Sequence, residues 1–219
     1  SQANNLSGAI TFAGTLGNVR DFNLRNTNAS ALMPTNLGSL TSLRDLTLTF
    51  NNAAIALPAL SLAAGGDINV TAGGAITQSG ILTIPGTATF NAGANAITLT
   101  LDNVFTGAVT LSNSGTNNAS ITNNTGLTFA ASTIGQNLTV IANGAIAQTG
   151  ALTVGGTSSF SAGANAITLD SAANAFSGAV TLSNSGTNNA SITNNTNLTF
   201  AASTIGQNLT VIATGAIAQ

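Results

Sequence analysis

The chain repeats a long segment of its own sequence almost letter for letter. The stretch GAVTLSNSGTNNASITNNT runs from Gly107 to Thr125 and returns from Gly178 to Thr196, at an offset of 71. The match continues to Gln219 with two substitutions, and upstream AGANAITL recurs at 92–99 and 162–169 with an offset of 70. Self-similarity at such a period predicts a repeat architecture, in which each unit covers the hydrophobic surface of the next.

Within the long repeat, apolar and polar residues alternate over short runs. Triplets such as INV (68–70), LTI (82–84) and LTV (138–140) stand between clusters of Gly, Asn and Ser. This alternation indicates half-buried strands, and Gly and Asn suit the corners between them because both tolerate positive φ. We expect the central residue of each triplet to face outward and its neighbours to point into a shared core.

A shorter period is visible near the N-terminus. VRDFNL (19–24) and LRDLTL (43–48) match at an offset of 24. The pattern predicts an all-β fold, a parallel β-helix (β-solenoid) with coils of about 23–24 residues, about three of them in each 70–71-residue repeat. We predict a single solenoid over 1–219, with divergent coils in 1–66, a first repeat in 67–136, and a second repeat plus the start of a third in 137–219.

The composition excludes most site chemistry. Charged residues make up 4% of the chain, and Lys, Glu, His, Cys, Trp and Tyr do not occur. Without His or Lys to act as a base, or His or Cys to hold a metal, we predict no catalytic, cofactor-binding or metal site and no enzyme. A net charge of −2 disfavours nucleic acid as a partner. No apolar run approaches the roughly 20 residues that membrane insertion as a helix requires.

The charged residues are interpreted as structural. Asp102 and Asp170 are predicted to lie on one edge about three coils apart, on the order of 14 Å, which is too far for the carboxylate pair of a glycosidase. We interpret them as turn residues, and an enzyme of the polysaccharide-lyase type is our third hypothesis. The Arg20–Asp21 and Arg44–Asp45 pairs share the offset of 24, which predicts a charged ladder on adjacent coils.

Threonine and phenylalanine supply the remaining candidate sites. A regular outward threonine face could bind ice, a glycan or another surface, although Thr is also an ordinary residue on an exposed strand. The candidate residues of this face are Thr110, Thr128, Thr139, Thr153, Thr168, Thr181, Thr199 and Thr210. We expect the Phe residues, Phe129, Phe160 and Phe200 among them, to form an aromatic stack in the core.

Three segments carry a family resemblance: GGDINVTAGGAITQSG, NLTVIANGAIAQTGALTVGGT and AGANAITL. They resemble the β-strand repeats of filamentous-haemagglutinin-like exoproteins of two-partner secretion and related autotransported adhesins. The resemblance covers 67–219 well and 1–66 loosely, and it implies a right-handed parallel β-helix in a secreted or surface fibre. The secretion domain of such proteins is not recognisable here. A narrower similarity, LRDLTLTFN (43–51), fits one coil of a leucine-rich repeat through Leu43, Leu46, Leu48 and Asn51.

These observations predict a function based on assembly. Neither end resembles a solenoid cap, so we expect part of a longer array, or a subunit that stacks end to end on copies of itself. Our first hypothesis is a structural segment of an exported bacterial surface fibre, adhesin or extracellular matrix filament, located outside the cell. The alternative is a binding module that uses the outward Thr/Asn face.

Overall fold

The computed structural model describes residues 2–219, which form almost entirely short strands and tight corners. Within this range the helical segments are two single turns of 3-10 helix, Leu16–Asn18 and Leu37–Ser39. No helix in residues 2–219 has the length and apolar character needed to cross a membrane. The strands, in chain order, are β1 (Asp21–Asn26), β2 (Asp45–Phe50), β3 (Ile55–Leu57), β4 (Leu60–Ser61), β5 (Ile68–Ala72), β6 (Ile76–Gln78), β7 (Leu82–Ile84), β8 (Ala88–Gly93), β9 (Ile97–Phe105), β10 (Val109–Asn113), β11 (Ala119–Asn123), β12 (Leu127–Phe129), β13 (Ser132–Ile134), β14 (Leu138–Ala142), β15 (Ile146–Gln148), β16 (Leu152–Val154), β17 (Ser158–Ser161), β18 (Ile167–Leu169), β19 (Ala175–Phe176), β20 (Val180–Ser183), β21 (Ala190–Asn194), β22 (Leu198–Thr199), β23 (Leu209–Ala213) and β24 (Ile217–Ala218).

Three successive strands make one coil, and the pairing pattern shows it. β2 pairs with β5, β3 with β6 and β4 with β7, and the same step of three joins β10 to β13, β11 to β14 and β12 to β15. The long strand β9 covers two sides of its coil, because its start pairs with β6 and its end with β7. All of these pairings are parallel, so the fold is an all-β parallel β-solenoid of about nine coils, as predicted.

The solenoid has three faces, defined by strand position in the coil. The first face contains β1, β2, β5, β8, β10, β13, β16 and β19. By position in the coil it also includes β22 and β24, which form a separate two-stranded sheet. The second face contains β3, β6, the start of β9, β11, β14, β17 and β20. By position in the coil we assign β4, β7, the end of β9, β12, β15, β18, β21 and β23 to the third face. The sheet of the first face continues into this face, because Val109 of β10 pairs with Phe129 of β12.

Most coils are shorter than the sequence suggested. The first step along the ladder, from Asp21 to Asp45, has the predicted length. Later steps are shorter, since Ala119 pairs with Leu138 on the next coil and Ser158 pairs with Val180. The average is about 21 residues per turn. The predicted coil length therefore holds at the N-terminus, where a looser segment with a 3-10 turn lengthens the path, and again between Ile167 and Ala190, but not for the average coil.

The core is a bore lined by inward-facing aliphatic and Phe side chains. One column on the second face runs through Ile55, Ile76, Ile97, Ala119 and Leu138, all buried. The predicted alternation within each triplet is confirmed, because Ile68 and Val70 are buried while Asn69 between them is exposed. Burying each such aliphatic side chain contributes roughly 1.5–3 kcal/mol, so these columns supply the main driving force for the fold.

The leucine-rich-repeat similarity is matched only in part by the structure. Leu43, Leu46 and Leu48 are buried as that pattern requires, but Asn51 is exposed. Asn51 Oδ1 accepts a hydrogen bond from Arg25 Nε at 3.0 Å. The coil is therefore an ordinary member of the same solenoid.

The long sequence repeat does not contain a whole number of coils. β10 lies on the first face, whereas its copy β20 lies on the second, because ten strands separate them and each coil uses three. In the same way, β11 on the second face has its copy β21 on the third. Each repeat thus advances three coils and one third of a turn. Copies do not stack directly on one another, which corrects the expectation of three coils per repeat.

Candidate functional site: corner ladders and outward faces

The corners carry side-chain oxygens that accept backbone N–H groups of the next coil. Asp67 Oδ1 accepts hydrogen bonds from the Thr87 backbone N–H at 2.6 Å and the Thr87 hydroxyl at 2.9 Å. One repeat later, Asn137 Oδ1 accepts the equivalent bonds from Thr157 at 2.9 and 3.0 Å. Asp67 and Asn137 make the same hydrogen bonds at equivalent corners of the two repeats. The contact therefore depends on a carbonyl-type oxygen and not on charge.

The predicted charged ladder is present in part between the first two coils, where Arg44 makes both of the described ion pairs. Asp21 pairs in register with Asp45, and Arg44 bonds to Asp45 at 2.7 Å and approaches Asp21 at 3.5 Å. The hydrogen bond from Arg44, followed by the backbone N–H of Asp67, lowers the pKa of Asp45. The same hydrogen bond with Asp45 raises the pKa of Arg44. Arg44 and Asp45 are half-buried and Asp21 is exposed, so solvent screens the ion pairs and the ladder contributes little to stability.

Buried asparagines form a second set of contacts that sequence reasoning missed. Asn103 Oδ1 accepts bonds from Gln78 Nε2 and from the Leu82 backbone N–H, both at 2.9 Å. Its Nδ2 donates to Gln78 Oε1 at 2.9 Å. Asn174 repeats this arrangement with Gln148 and Leu152. Each amide ties one coil to the next from inside the bore.

The other buried asparagines follow at ten-residue spacing in each copy. Asn123 Oδ1 accepts the Phe105 backbone N–H at 2.8 Å, and Asn113 Oδ1 accepts that of Gly135 at 3.0 Å. The buried asparagines of the repeats are Asn103, Asn113 and Asn123 in one copy and Asn174, Asn184 and Asn194 in the next, and Asn26 is buried near the N-terminus. The ten-residue spacing and the offset of 71 were the signals that could have revealed it.

The candidate threonines all face outward but do not share one face. Each of the eight is exposed or half-buried. The first face carries Thr110, Thr153 and Thr199, the second carries Thr139 and Thr181, and the third carries Thr128, Thr168 and Thr210. The rotation of one third of a turn per repeat distributes equivalent residues in this way.

The structure instead brings together threonines that are not copies of one another. On the first face, Thr47 and Thr49 lie beside Asn69 and Thr71 of the next coil. The two columns continue through Thr89 and Asn91 and then through Thr110 and Ser112. This grid of uncharged polar side chains covers four consecutive coils.

The phenylalanines are internal but pair within one turn of the chain. Phe129 and Phe160 are buried, and Phe200 is half-buried against the core. Phe160 packs edge-to-face on Phe176, with ring centroids 6.0 Å apart. Phe90 and Phe105, their counterparts one repeat earlier, pack alike at 5.9 Å. Of the three residues predicted to stack, Phe160 alone is in such a pair, so separate edge-to-face pairs replace the predicted continuous stack.

Asp102 and Asp170 lie at different corners. Asp102 lies inside β9, where the chain turns from the second face to the third, whereas Asp170 follows β18 and precedes the first-face strand β19. The expected common edge is therefore wrong, and the rotation of the repeat is the reason. Among the described residues, no three His, Cys, Asp or Glu side chains cluster as metal ligands. A shallow groove of about 450 Å³ near Thr41, Ser61 and Ile81 is lined by no titratable side chain.

The fold and these contacts define a class: a parallel β-solenoid of repeats held together by coil stacking. A family model described as repeats of unknown function (DUF5649) matches residues 43–112, 116–183 and 187–219. The chain belongs to this family. No curated protein and no solved structure matches it.

Proposed function

We propose that this chain is a structural segment of an exported bacterial surface fibre or adhesin, or of an extracellular matrix filament, lengthened by coil stacking. The observation that carries the proposal is the parallel ladder, which runs coil after coil with the same inward columns and internal amides. Export and an extracellular location are supported by the resemblance to secreted β-strand repeats and by the composition. The chain acts mechanically in this proposal and is not an enzyme.

Coil stacking buries the inward leucine that begins β14. Leu209 is 41% exposed, whereas Leu138, its copy one repeat earlier, is 1% exposed under the next coil. A further coil on β23 would bury Leu209 in the same way. That coil can come from a continuing chain or from a second copy.

Lengthening the solenoid tests the stacking part of the proposal. We append a second copy of residues 149–219 after Gln219 and expect the rod, measured by small-angle X-ray scattering, to lengthen by about 16 Å. Leu209→Asp should be tolerated in the original chain but should destabilise the extended one, because only there is position 209 covered. Thr210→Asp, which faces outward, is the matched control. An extended chain that scatters as a rod with a flexible tail would contradict the proposal.

Location is tested in the native bacterium. Antibodies raised against the folded chain should label fibres on intact cells by immunogold electron microscopy. Labelling that requires permeabilised cells would contradict export.

We propose a second candidate function for the first-face grid of Thr47, Thr49, Asn69, Thr71, Thr89, Asn91, Thr110 and Ser112: adsorption to ice or to a glycan surface. A two-dimensional array of uncharged polar groups at the coil spacing suits a regularly repeating ligand. Thermal hysteresis or glycan-array binding that Thr89→Leu abolishes and Thr168→Leu on the third face leaves intact would support it. Inactivity of the unmodified chain in both assays would rule it out.

A further inference from the structure

The second face has an exposed apolar side chain at its centre. Ile141 of β14 is 45% exposed, and its neighbours on the adjacent coils are the small residues Thr122 and Ser161. Ile141 therefore stands above its surroundings instead of being shielded by them. In protein interfaces a binding hot spot is ringed by contacts of little energy that exclude water, and Thr122 and Ser161 could form such a ring around Ile141.

Ile141 lies within a continuous outward surface, which we call the hydroxyl face. One of its columns is in register through Thr98, Ser120, Thr139, Ser159 and Thr181. The other contains Thr122, Ile141, Ser161 and Ser183. No Asp or Arg side chain of the described chain belongs to these columns. A second such face can therefore approach without charge repulsion or the cost of burying a charge.

The period of the face selects its partner. Outward residues recur every ~4.8 Å along the axis, the spacing of adjacent strands. A partner with any other period would fit over one or two coils and then lose register. A second copy of this solenoid keeps register along the whole face, as paired sheets do in cross-β interfaces.

The available area is that of a weak, reversible contact. The hydroxyl face spans five coils, from the start of β9 to β20. With strands three to five residues wide it covers roughly 300–400 Å² per copy, or about 700 Å² in total. Permanent specific interfaces bury more than about 1,000 Å², so we expect two chains to associate reversibly.

We infer that the hydroxyl face is a lateral docking surface for a second copy of this chain. The two rods lie side by side and parallel, related by a two-fold axis along their length, so that Ile141 of each copy packs over Thr139 of the other. The contact differs from end-to-end stacking and does not depend on export. Stacking would lengthen a fibre, whereas this contact would join rods into bundles.

Sedimentation of the unmodified chain over a range of concentrations tests the inference. We expect a monomer–dimer equilibrium that Ile141→Lys weakens about tenfold or more. Ile81→Lys is the matched control, because Ile81 is 48% exposed yet lies at a corner outside the hydroxyl face. Thermal unfolding of both variants should equal that of the unmodified chain. A monomer at every concentration, or equal weakening by Ile81→Lys, would overturn the inference.

A charge-pair experiment tests the orientation independently. Ile141→Lys and Thr139→Asp should each dimerise poorly alone, because each buries an unpaired charge. Mixed together they should form a heterodimer, since the lysine introduced in one copy would face the aspartate introduced in the other. Failure of the mixture to recover association would overturn the parallel two-fold arrangement.

Discussion

Asparagine has two roles in this molecule, one at exposed corners and the other at buried positions. At exposed corners its oxygen accepts a backbone N–H from the next coil, and Asp replaces it at position 67. Inside the bore, Asn103 and Asn174 need both the oxygen and the NH₂ group, because they accept two bonds and donate others in one cluster. Only an amide supplies both groups, so Asp cannot replace Asn at these interior positions as it does at the corners.

Asn174→Ala should destabilise the chain strongly. It leaves the Gln148 side chain and the Leu152 backbone N–H without their partner in a buried site. We expect a loss of about 3 kcal/mol or more from the free energy of unfolding, measured by urea denaturation. Asn195→Ala, which removes an exposed amide of the same corner, is the control and should change stability by less than about 0.5 kcal/mol. Equal effects would show that the buried cluster is dispensable.

Ser158 is an opposite case, a buried polar group without a partner. Its hydroxyl makes no hydrogen bond, although the side chain lies in the bore between Leu138 and Val180. The equivalent residue one repeat earlier is Ala88, which is fully buried. Ser158→Ala should therefore stabilise the chain by about 1 kcal/mol, raising Tm by roughly 2–4 °C in calorimetry. Ser159→Ala, on the outward side of the same strand, should have little effect, and a lower Tm for Ser158→Ala would contradict the unpaired assignment.

At the scale of strands and corners, the sequence pattern predicts the local structure well. Triplets such as LTV at 138–140 and LTI at 82–84 are strands with both ends buried. The strand-to-strand offset was predicted from the N-terminus, where the paired sequences are similar enough to compare. Elsewhere, stacked strands such as ASITN and LTVIA share a pattern but few letters, so the shorter coils left no signal.

The candidate sites were less predictable for a physical reason. Outward direction follows from alternation, and all eight candidate threonines do face outward. Which outward residues become neighbours depends on coil length, and a small error in the length of each coil accumulates until it moves a residue to another face. The buried asparagines were missed because Asn prefers corners and surfaces, and only the neighbouring coil shows that these corners turn inward.

The β1–β2 corner gives the chain a limited acid sensitivity. Because the bond from Arg44 lowers the pKa of Asp45, the ionised carboxylate is favoured in the folded state. This stabilisation is present above the ordinary Asp pKa of about 3.9 and is lost as pH falls through the lowered value in the fold. We expect a constant unfolding midpoint between about pH 5 and 8 and a decrease below about pH 4, measured by circular dichroism. Asp45→Asn should flatten that decrease, whereas Asp102→Asn should not.

At the scale of the whole molecule, the repeat acts as a screw operation. One repeat advances three and one third coils, which is about 16 Å along the axis, and rotates the sequence pattern by one face. The patch containing Thr139 and Ile141 on the second face therefore recurs on the third face as Thr210 and Ile212. If the hydroxyl face joins two rods, a solenoid of several repeats offers the same contact in three directions. Bundling in several directions would follow from the repeat length alone.

Spin labels at equivalent positions of two repeats test this rotation. Thr98 and Ser159 lie in one second-face column three coils apart, about 14 Å, so labelled cysteines at these positions should show strong dipolar broadening. Thr168, the copy of Thr98, lies on the third face, so a label pair at 98 and 168 should be farther apart and show weaker broadening. The chain has no Cys of its own, so each double variant reports one distance. Were each repeat three whole coils, position 168 would fall in the column of position 98 and the two label pairs would broaden alike. Unequal broadening, with the pair at 98 and 168 the weaker, is the result that the one-third turn requires.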